Sequence, residues 1–462
     1  METSKKFIVI DSGIESWDGH HYEYAARIIK SAARAGYKPI LATHRLFQPV
    51  NTESLTCSTI YRASKNLVLE KLFLYRAFEK IKNSVTLWRF FRKKPVGHIS
   101  GVANNNIKKN IFHRLINRIF LNYKIYTFEK DTEQLFKSIA LDRGDMVVLP
   151  TASEYELHGL MDYLKKYKHH EHVTWHLILH FDMISHSKRN ALLFRMLPKK
   201  ANIFFYTDTE QLTHLYNQLG VYTFHTLPIP VDTHVFFPSV DDKNDKSKPL
   251  RVNYLGDARK EKGYHYLPAL IEAVWGKYVE KNKIVFTIQS NYNISGGEEE
   301  AAIARKKLEM LPPDKITLVK ASLDPIQYRH MLLNSDIILL LYDPVLYHDR
   351  SSGIFAEAIA AGIPVIVPEY SWMALQLQKT IDKYQSTLSD RFMQADVPKS
   401  IVGVVYTSVK SMSAALIEVI THYDHYRSSA IAFSRQWSQY HNAENVLSFL
   451  LNNVNSLHGL KT

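Results

Sequence analysis

Short apolar runs alternate with amphipathic stretches along most of this 462-residue chain. Phe7–Ile10 is an apolar run that stops at Asp11, as a buried strand would. After Asp18-Gly19-His20-His21, the residues Tyr22, Ala25, Ala26, Ile29, Ala32 and Ala33 recur at the spacing of one helix face until Gly36, a suitable helix stop. Pro39–Thr43 reads as the next strand. Strand, glycine turn, helix, strand is a βαβ unit, and in open parallel sheets ligands bind at the carboxyl ends of the strands. Further on the same pattern predicts strands at Met146–Leu149, Thr174–Leu179 and Ile203–Tyr206, with helices at Glu156–Tyr167, His186–Leu197 and Glu210–Leu219.

Phe224–Leu227 leads into Pro228-Ile229-Pro230-Val231-Asp232, and the polar stretch Ser239–Lys248 reads as a linker. Beyond it the alternation restarts. Strands are expected at Arg251–Tyr254, Ile284–Gln289, Ile316–Lys320, Ile337–Tyr342 and Pro364–Val367, and helices at Tyr264–Trp275, Glu298–Met310, Pro325–Asn334 and Gly353–Ala361. The expected architecture is α/β, with two Rossmann-like doubly wound domains, 1–238 and 249–430, facing a cleft. A C-terminal helix over 431–455 is expected to pack back toward the first domain.

Composition is ordinary for a globular chain, 46% apolar and 22% charged. Cys57 is the only cysteine, so no intrachain disulfide forms and no thiol cluster can hold zinc, which suits a reducing cytoplasm. The apolar run Phe7–Ile10 is too short for a signal-peptide core, and no stretch approaches the ~18 apolar residues of a membrane span. The net charge of +13 is localised, because Arg62 to Lys130 holds sixteen Lys or Arg against Glu70, Glu79 and Glu129. Large apolar residues such as Phe73, Trp88, Phe90, Ile119 and Phe120 interleave with those charges. The segment 62–130 therefore reads as a basic helical insertion suited to an anionic membrane face, at the cytoplasmic side, or to an anionic acceptor. A packed helical insertion with a solvated basic face is the other reading of the same pattern. No nucleic-acid motif accompanies the charge.

The richest chemistry lies in Asp349-Arg350-Ser351-Ser352-Gly353 and the helix after it, which Gly362-Ile363-Pro364 closes before a buried strand. Ser351, Ser352 and Gly353 open that helix, so unpaired N–H groups and the positive end of its dipole suit an anionic diphosphate. Glu357, a turn further in, needs hydrogen-bond donors from ligand hydroxyls or backbone groups.

This stretch resembles family-4 glycosyltransferases of the GT-B fold, which carry an acid, seven intervening residues, a glutamate, a small-residue helix and Gly-x-Pro. Asp349 and Glu357 have that spacing, with Asp in place of the usual first Glu. A second matching stretch runs from Val252 through Gly256 to Lys262-Gly263. The resemblance implies that Arg259 and Lys262 meet the donor diphosphate, although Asp257 stands directly after Gly256, where the family places its arginine. Two cations there would stabilise charge on the departing nucleotide.

Among the histidines, His169, His170 and His172 around Glu171 read as a solvated loop and not as a metal site. His180, at the carboxyl end of a first-domain strand beside Asp182, occupies the position of the family's cleft histidine, and Gly19 and His20 form a further acceptor-side loop. The expected catalytic set is His180, Arg259, Lys262, Asp349 and Glu357. The donor set adds Gly256, Ser351, Ser352 and Gly353. The resemblance further implies a UDP- or GDP-sugar donor, a glycan, lipid-linked or other hydroxyl acceptor, retention of configuration and no obligatory metal. A nucleotide-sugar epimerase or hydrolase and an inactive donor-binding subunit are the alternatives that share this fold.

Overall fold

The computed structural model describes residues 5–17, 20–49, 55–63, 101–185, 187–198, 202–238, 247–292, 296–379, 403–406 and 408–457, with backbone alone at 20, 101–116, 169, 171, 409 and 454–457. The chain divides into two compact units, one of Met1–Trp17, Gly36–Leu177 and Met183–Phe204, the other of Asp18–Ala35, Ile178–Asp182 and Phe205–Thr462.

The first sheet has seven strands in the order β3-β2-β1-β4-β5-β6-β7. They are β1 (Lys6–Asp11), β2 (Lys38–His44), β3 (Thr56–Tyr61), β4 (Met146–Leu149), β5 (Thr174–Leu179), β6 (Asn202–Thr207) and β7 (Phe224–Thr226). Helix α1 (His20–Arg34) follows β1. Every residue of β4 and β5 is buried, as in a parallel sheet covered on both faces, and β4 accordingly reads as a continuous apolar run. Strand β3 (TCSTIY) is only half-buried along most of its length, and with no apolar run it leaves no trace in the hydrophobic pattern.

The basic segment becomes, from Gly101 onward, the long helix α2 (Gly101–Ser138). It packs against β3 and against α3 (Glu154–Lys166). Phe120, Ile125, Phe128, Leu135 and Phe136 are buried, so Phe120, expected among surface apolar residues, belongs to the core. Arg62 donates from N and Nε to the Asp131 carboxylate, both at 2.8 Å, which ties β3 to this helix. Residues 64–100, with most of the expected basic cluster, lie outside the described residues. The solvated-loop reading fails for His170. A 3-10 turn, Lys168–His172, carries it into an aromatic cluster with Tyr163, Phe136 and Trp175, where its Nδ1 meets the Tyr163 hydroxyl.

Helices α4 (Lys188–Met196) and α5 (Glu210–Asn217) precede β7. The second sheet has six strands in the order β10-β9-β8-β11-β12-β13. These are β8 (Leu250–Tyr254), β9 (Ile284–Gln289), β10 (Ile316–Val319), β11 (Ile337–Leu339), β12 (Val365–Pro368) and β13 (Gly403–Tyr406). The helix expected over Tyr264–Trp275 is three pieces: a 3-10 turn, α6 (Leu267–Val274) and a π turn, Trp275–Val279. Pro268, at the first turn of α6, has no N–H to continue a helix from the preceding residues. Helices α7 (Glu299–Glu309), α8 (Pro325–Leu333) and α9 (Gly353–Ala360) connect the strands, and α10 (Val409–Thr421), α11 (Tyr423–Tyr440) and α12 (Ala443–Leu457) end the chain. Helix α12 packs against α1. In this sheet the chain winds outward through β9 and β10 and then returns past β8 to β11, which makes the carboxyl ends of β8 and β11 its topological switch point.

Candidate active site

Both stretches singled out in the second half of the sequence emerge at that switch point. Past β8 the chain turns at Gly256, whose φ is +107° and whose N–H donates to Gln289 Oε1 at 2.7 Å. A Cβ on Gly256 would stand 2.7 Å from Lys262 Nζ and 3.4 Å from Ile354 Cδ1, so any side chain here would crowd both Lys262 and the first turn of α9. Gly263, at φ +73°, would put a Cβ 1.8 Å from the Leu341 carbonyl oxygen, and no side chain fits there. The tight turn buries Lys262 to 6% exposure, in contrast to the open loop position that a diphosphate-binding lysine suggests from sequence. Burial, reinforced by the Arg259 charge, brings its ammonium down to about 8, against the pull of Asp257 and Glu261. Arg259 is already neutralised in part, by Glu261 at 2.8 Å and Asp257 at 3.6 Å.

Helix α9 begins with Ser352 as its N-cap, whose hydroxyl accepts from Phe355 N at 3.2 Å. The N–H groups of Gly353 and Ile354 have no intrahelical partner in such a first turn and give the end its anion-attracting character. Ser351 turns the other way and donates to Asp208 Oδ2. Asp349 is half-buried, and its carboxyl is raised by burial, opposed by a backbone hydrogen bond and assisted by the neighbouring Asp182 charge. Its carbonyl accepts from the Thr209 hydroxyl at 2.7 Å.

Glu357 is buried on α9, and side chains donate to both of its oxygens. Oε1 accepts from Arg27 Nη2 at 2.9 Å and Oε2 from the Tyr328 hydroxyl at 2.7 Å. Arg27, on α1, also donates from Nη1 to the Pro230 carbonyl at 3.1 Å. Burial alone would lower its guanidinium; Glu357, then Glu23 and Asp232, more than offset this and hold it above its ordinary value. Each carboxylate oxygen can accept more than one bond, so Glu357 retains capacity for a ligand hydroxyl while being held from behind.

His180, at the end of β5, donates from Nδ1 to Asp208 Oδ2 at 2.8 Å. The Tyr24 ring stands edge-on to the imidazole, 5.5 Å between centroids. Arg350 lies over the Phe181 ring at 5.2 Å. The structure therefore brings His180, Asp182, Asp349, Ser351 and Ser352 into one neighbourhood of the second unit, with Gly353 and Glu357 on α9 and Gly256, Arg259 and Lys262 in the turn after β8. Gly19 and the side chain of His20 lie outside the described residues.

Arg27, Tyr328 and Asp208 were not among the residues expected at the site. Arg27 reaches Glu357 across 330 positions, and no local pattern announces that. Asp208 did carry a signal, since it directly follows an apolar strand and precedes the α5 N-cap Thr209, which places it at a strand's carboxyl end.

No protein family matches the chain, and no curated protein matches it by sequence. Solved structures do. Sucrose-phosphate synthase from Thermosynechococcus elongatus aligns with a TM-score of 0.60 at 12% identity, over 99% of this chain and 100% of that one. The E. coli trehalose-6-phosphate protein bound with UDP-2-fluoro glucose gives 0.60 at 14% identity, over 96% of this chain and 99% of that one. A glycosyltransferase from Rickettsia africae gives 0.60 at 10% identity, over 99% and 100%. At such identities the likeness is one of backbone, and it agrees with the two parallel sheets: the chain has the two-domain, Rossmann-like GT-B fold.

Proposed function

We propose that this protein is a glycosyltransferase that takes a sugar from a nucleoside diphosphate donor, of UDP or GDP type, and passes it to a hydroxyl acceptor with retention of configuration, in the manner of family 4. The observation that carries this reading is a buried ammonium, Lys262, packed on Gly256 in the turn after β8, where Ile354 of α9 also approaches, at the switch point of a doubly wound sheet. A buried cation is costly unless an anion arrives, and a helix N-terminus at the carboxyl end of a parallel sheet suits a diphosphate. As the glycosidic bond breaks, negative charge grows on the departing diphosphate, and Lys262, Arg259 and the Gly353 and Ile354 N–H groups are poised to offset it without a metal. Asp349, His180 and Glu357 then serve the hydroxyls of sugar and ribose. The UDP-2-fluoro glucose held by one structural neighbour is consistent with such a donor.

The test is to incubate the protein with UDP- and GDP-sugars, with and without glycan and lipid-linked acceptors, and to measure released nucleoside diphosphate. Acceptor-dependent release is expected. Full-rate turnover without acceptor would replace this reading with a hydrolase or epimerase, and donor binding with no turnover would replace it with an inactive subunit.

We also propose that 62–130 draws the protein to an anionic membrane at its cytoplasmic face. None of the described helices is long and apolar enough to cross a membrane. On α2, Ile119, Tyr123 and Tyr126 are exposed at helical spacing, and the charge surplus of the segment supports a surface role. Polybasic contacts contribute about 1 kcal/mol per charge near anionic lipid and are screened by salt. Sedimentation with phosphatidylserine vesicles at low salt should pull down the wild type and spare a variant with Arg89, Arg92, Lys93 and Lys94 changed to Ser. Equal binding to neutral vesicles, or none to either, would make the insertion a packed structural element.

A further inference from the structure

Asp208 is a buried carboxylate that its own turn does not require. It is 6% exposed; its Oδ2 accepts from both His180 Nδ1 and Ser351 Oγ, while its Oδ1 is buried with no hydrogen-bond partner. An acceptor left unpaired in the interior costs about 1–3 kcal/mol. Local structure does not call for this carboxylate. The turn from β6 into α5 is capped by Thr209, whose hydroxyl accepts from Leu212 N at 3.2 Å. The same hydroxyl already ties that turn to the loop before α9 through the Asp349 carbonyl.

What Asp208 does accomplish is to join two parts of the site. A carboxylate oxygen only accepts, so the bond from His180 puts a proton on Nδ1, and in the neutral imidazole Nε2 is then the acceptor nitrogen. The second bond, from Ser351, fixes the same oxygen to the loop that delivers Asp349 and opens α9. We propose that Asp208 is a positioning residue, which holds His180 in the Nδ1–H tautomer so that Nε2 can accept a sugar hydroxyl, and registers that imidazole against the diphosphate end of α9 through Ser351. This rests on the glycosyl-transfer reading for its ligand, but not for its geometry. The Tyr24 ring, edge-on to the imidazole, restricts ring rotation from another side.

The experiment is two-part. Long-range proton–nitrogen correlation spectra of the histidine-labelled protein, with His180→Gln for assignment, report which ring nitrogen carries the proton. The wild type should show the Nδ1–H form at His180, and Asp208→Ala should shift it toward Nε2–H. In steady-state kinetics Asp208→Ala and Asp208→Asn should lose at least tenfold in kcat with donor KM changed less than about threefold, the pattern of a lost transition-state contact. Ser351→Ala should keep the tautomer and lose part of the rate. An Nε2–H form in the wild type overturns the proposal, and that spectrum needs no variant to fold. Unchanged kcat in folded Asp208→Asn overturns it as well. An Nδ1–H form in a protein that turns over no nucleotide sugar would sink the transfer reading while leaving the Asp208–His180 pairing in place.

Discussion

Lys262→Met should cut turnover sharply and at the same time make the protein more stable. The ammonium is buried at about 8 when its ordinary value is 10.5, so at neutral pH the fold carries a desolvated charge. At about 1.4 kcal/mol per tenfold change in proton affinity, the relief on replacing it is on the order of 3 kcal/mol. Loss of an electrostatic contact to the developing charge costs about 10²–10³ in kcat. The pH behaviour separates the two effects. The folded value lies below the unfolded one, so between about 8 and 10.5 the unfolded chain binds more protons, and wild-type stability gains a rising contribution with pH. That contribution should vanish in Lys262→Met. Activity goes the other way: kcat/KM of the wild type should fall as pH rises through about 8, and the limb in kcat should lie higher, because a bound diphosphate favours the charged amine. Thermal melts and rate profiles from pH 7 to 10 check both signs. A variant that is less stable than the wild type at pH 7, with normal kcat, would contradict the assignment.

Breaking the Glu357–Arg27 pair should cost stability as well as catalysis. Glu357→Gln removes the charge that does most to hold Arg27, whose side chain is 17% exposed, and loss of one charge from a buried pair costs up to about 3–5 kcal/mol. The melting temperature should fall by on the order of 10 °C, at roughly 2–4 °C per kcal/mol. Arg27→Met should fall similarly. The double variant should recover part of the loss, since two neutral side chains leave no unpaired charge, giving a coupling of about 1–3 kcal/mol. Turnover should stay low in the double variant if Glu357 also meets the donor. Additive losses in the cycle would show that the two residues act independently.

The legible part of this molecule was the part written locally. Phe7–Ile10, Met146–Leu149 and Pro364–Val367 announced strands because parallel sheets bury both faces, and Ser351-Ser352-Gly353 announced a helix N-terminus. Strand β3 was illegible because TCSTIY is half-exposed at a sheet edge. The spacing of Asp349 and Glu357 marks helix α9 but not the guanidinium that holds Glu357, since tertiary contacts over hundreds of residues leave no periodicity. The depth of Lys262 was hidden for a related reason. It follows from Gly256 and Gly263 permitting the backbone to close on Leu341, and a lysine in a charged loop reads as exposed until that closure is seen. His170 was misread for the same cause, a short turn folding a charged-looking loop into an aromatic cluster.

The most direct measurement is a crystal structure of the protein with a bound nucleoside diphosphate. The diphosphate should lie against the N–H groups of Gly353 and Ile354, with Lys262 Nζ in hydrogen-bond reach and Arg259 released from Glu261 toward it. A nucleotide bound on another face, or a diphosphate that leaves Lys262 without contact, would contradict the proposed donor site and the transfer reaction built on it.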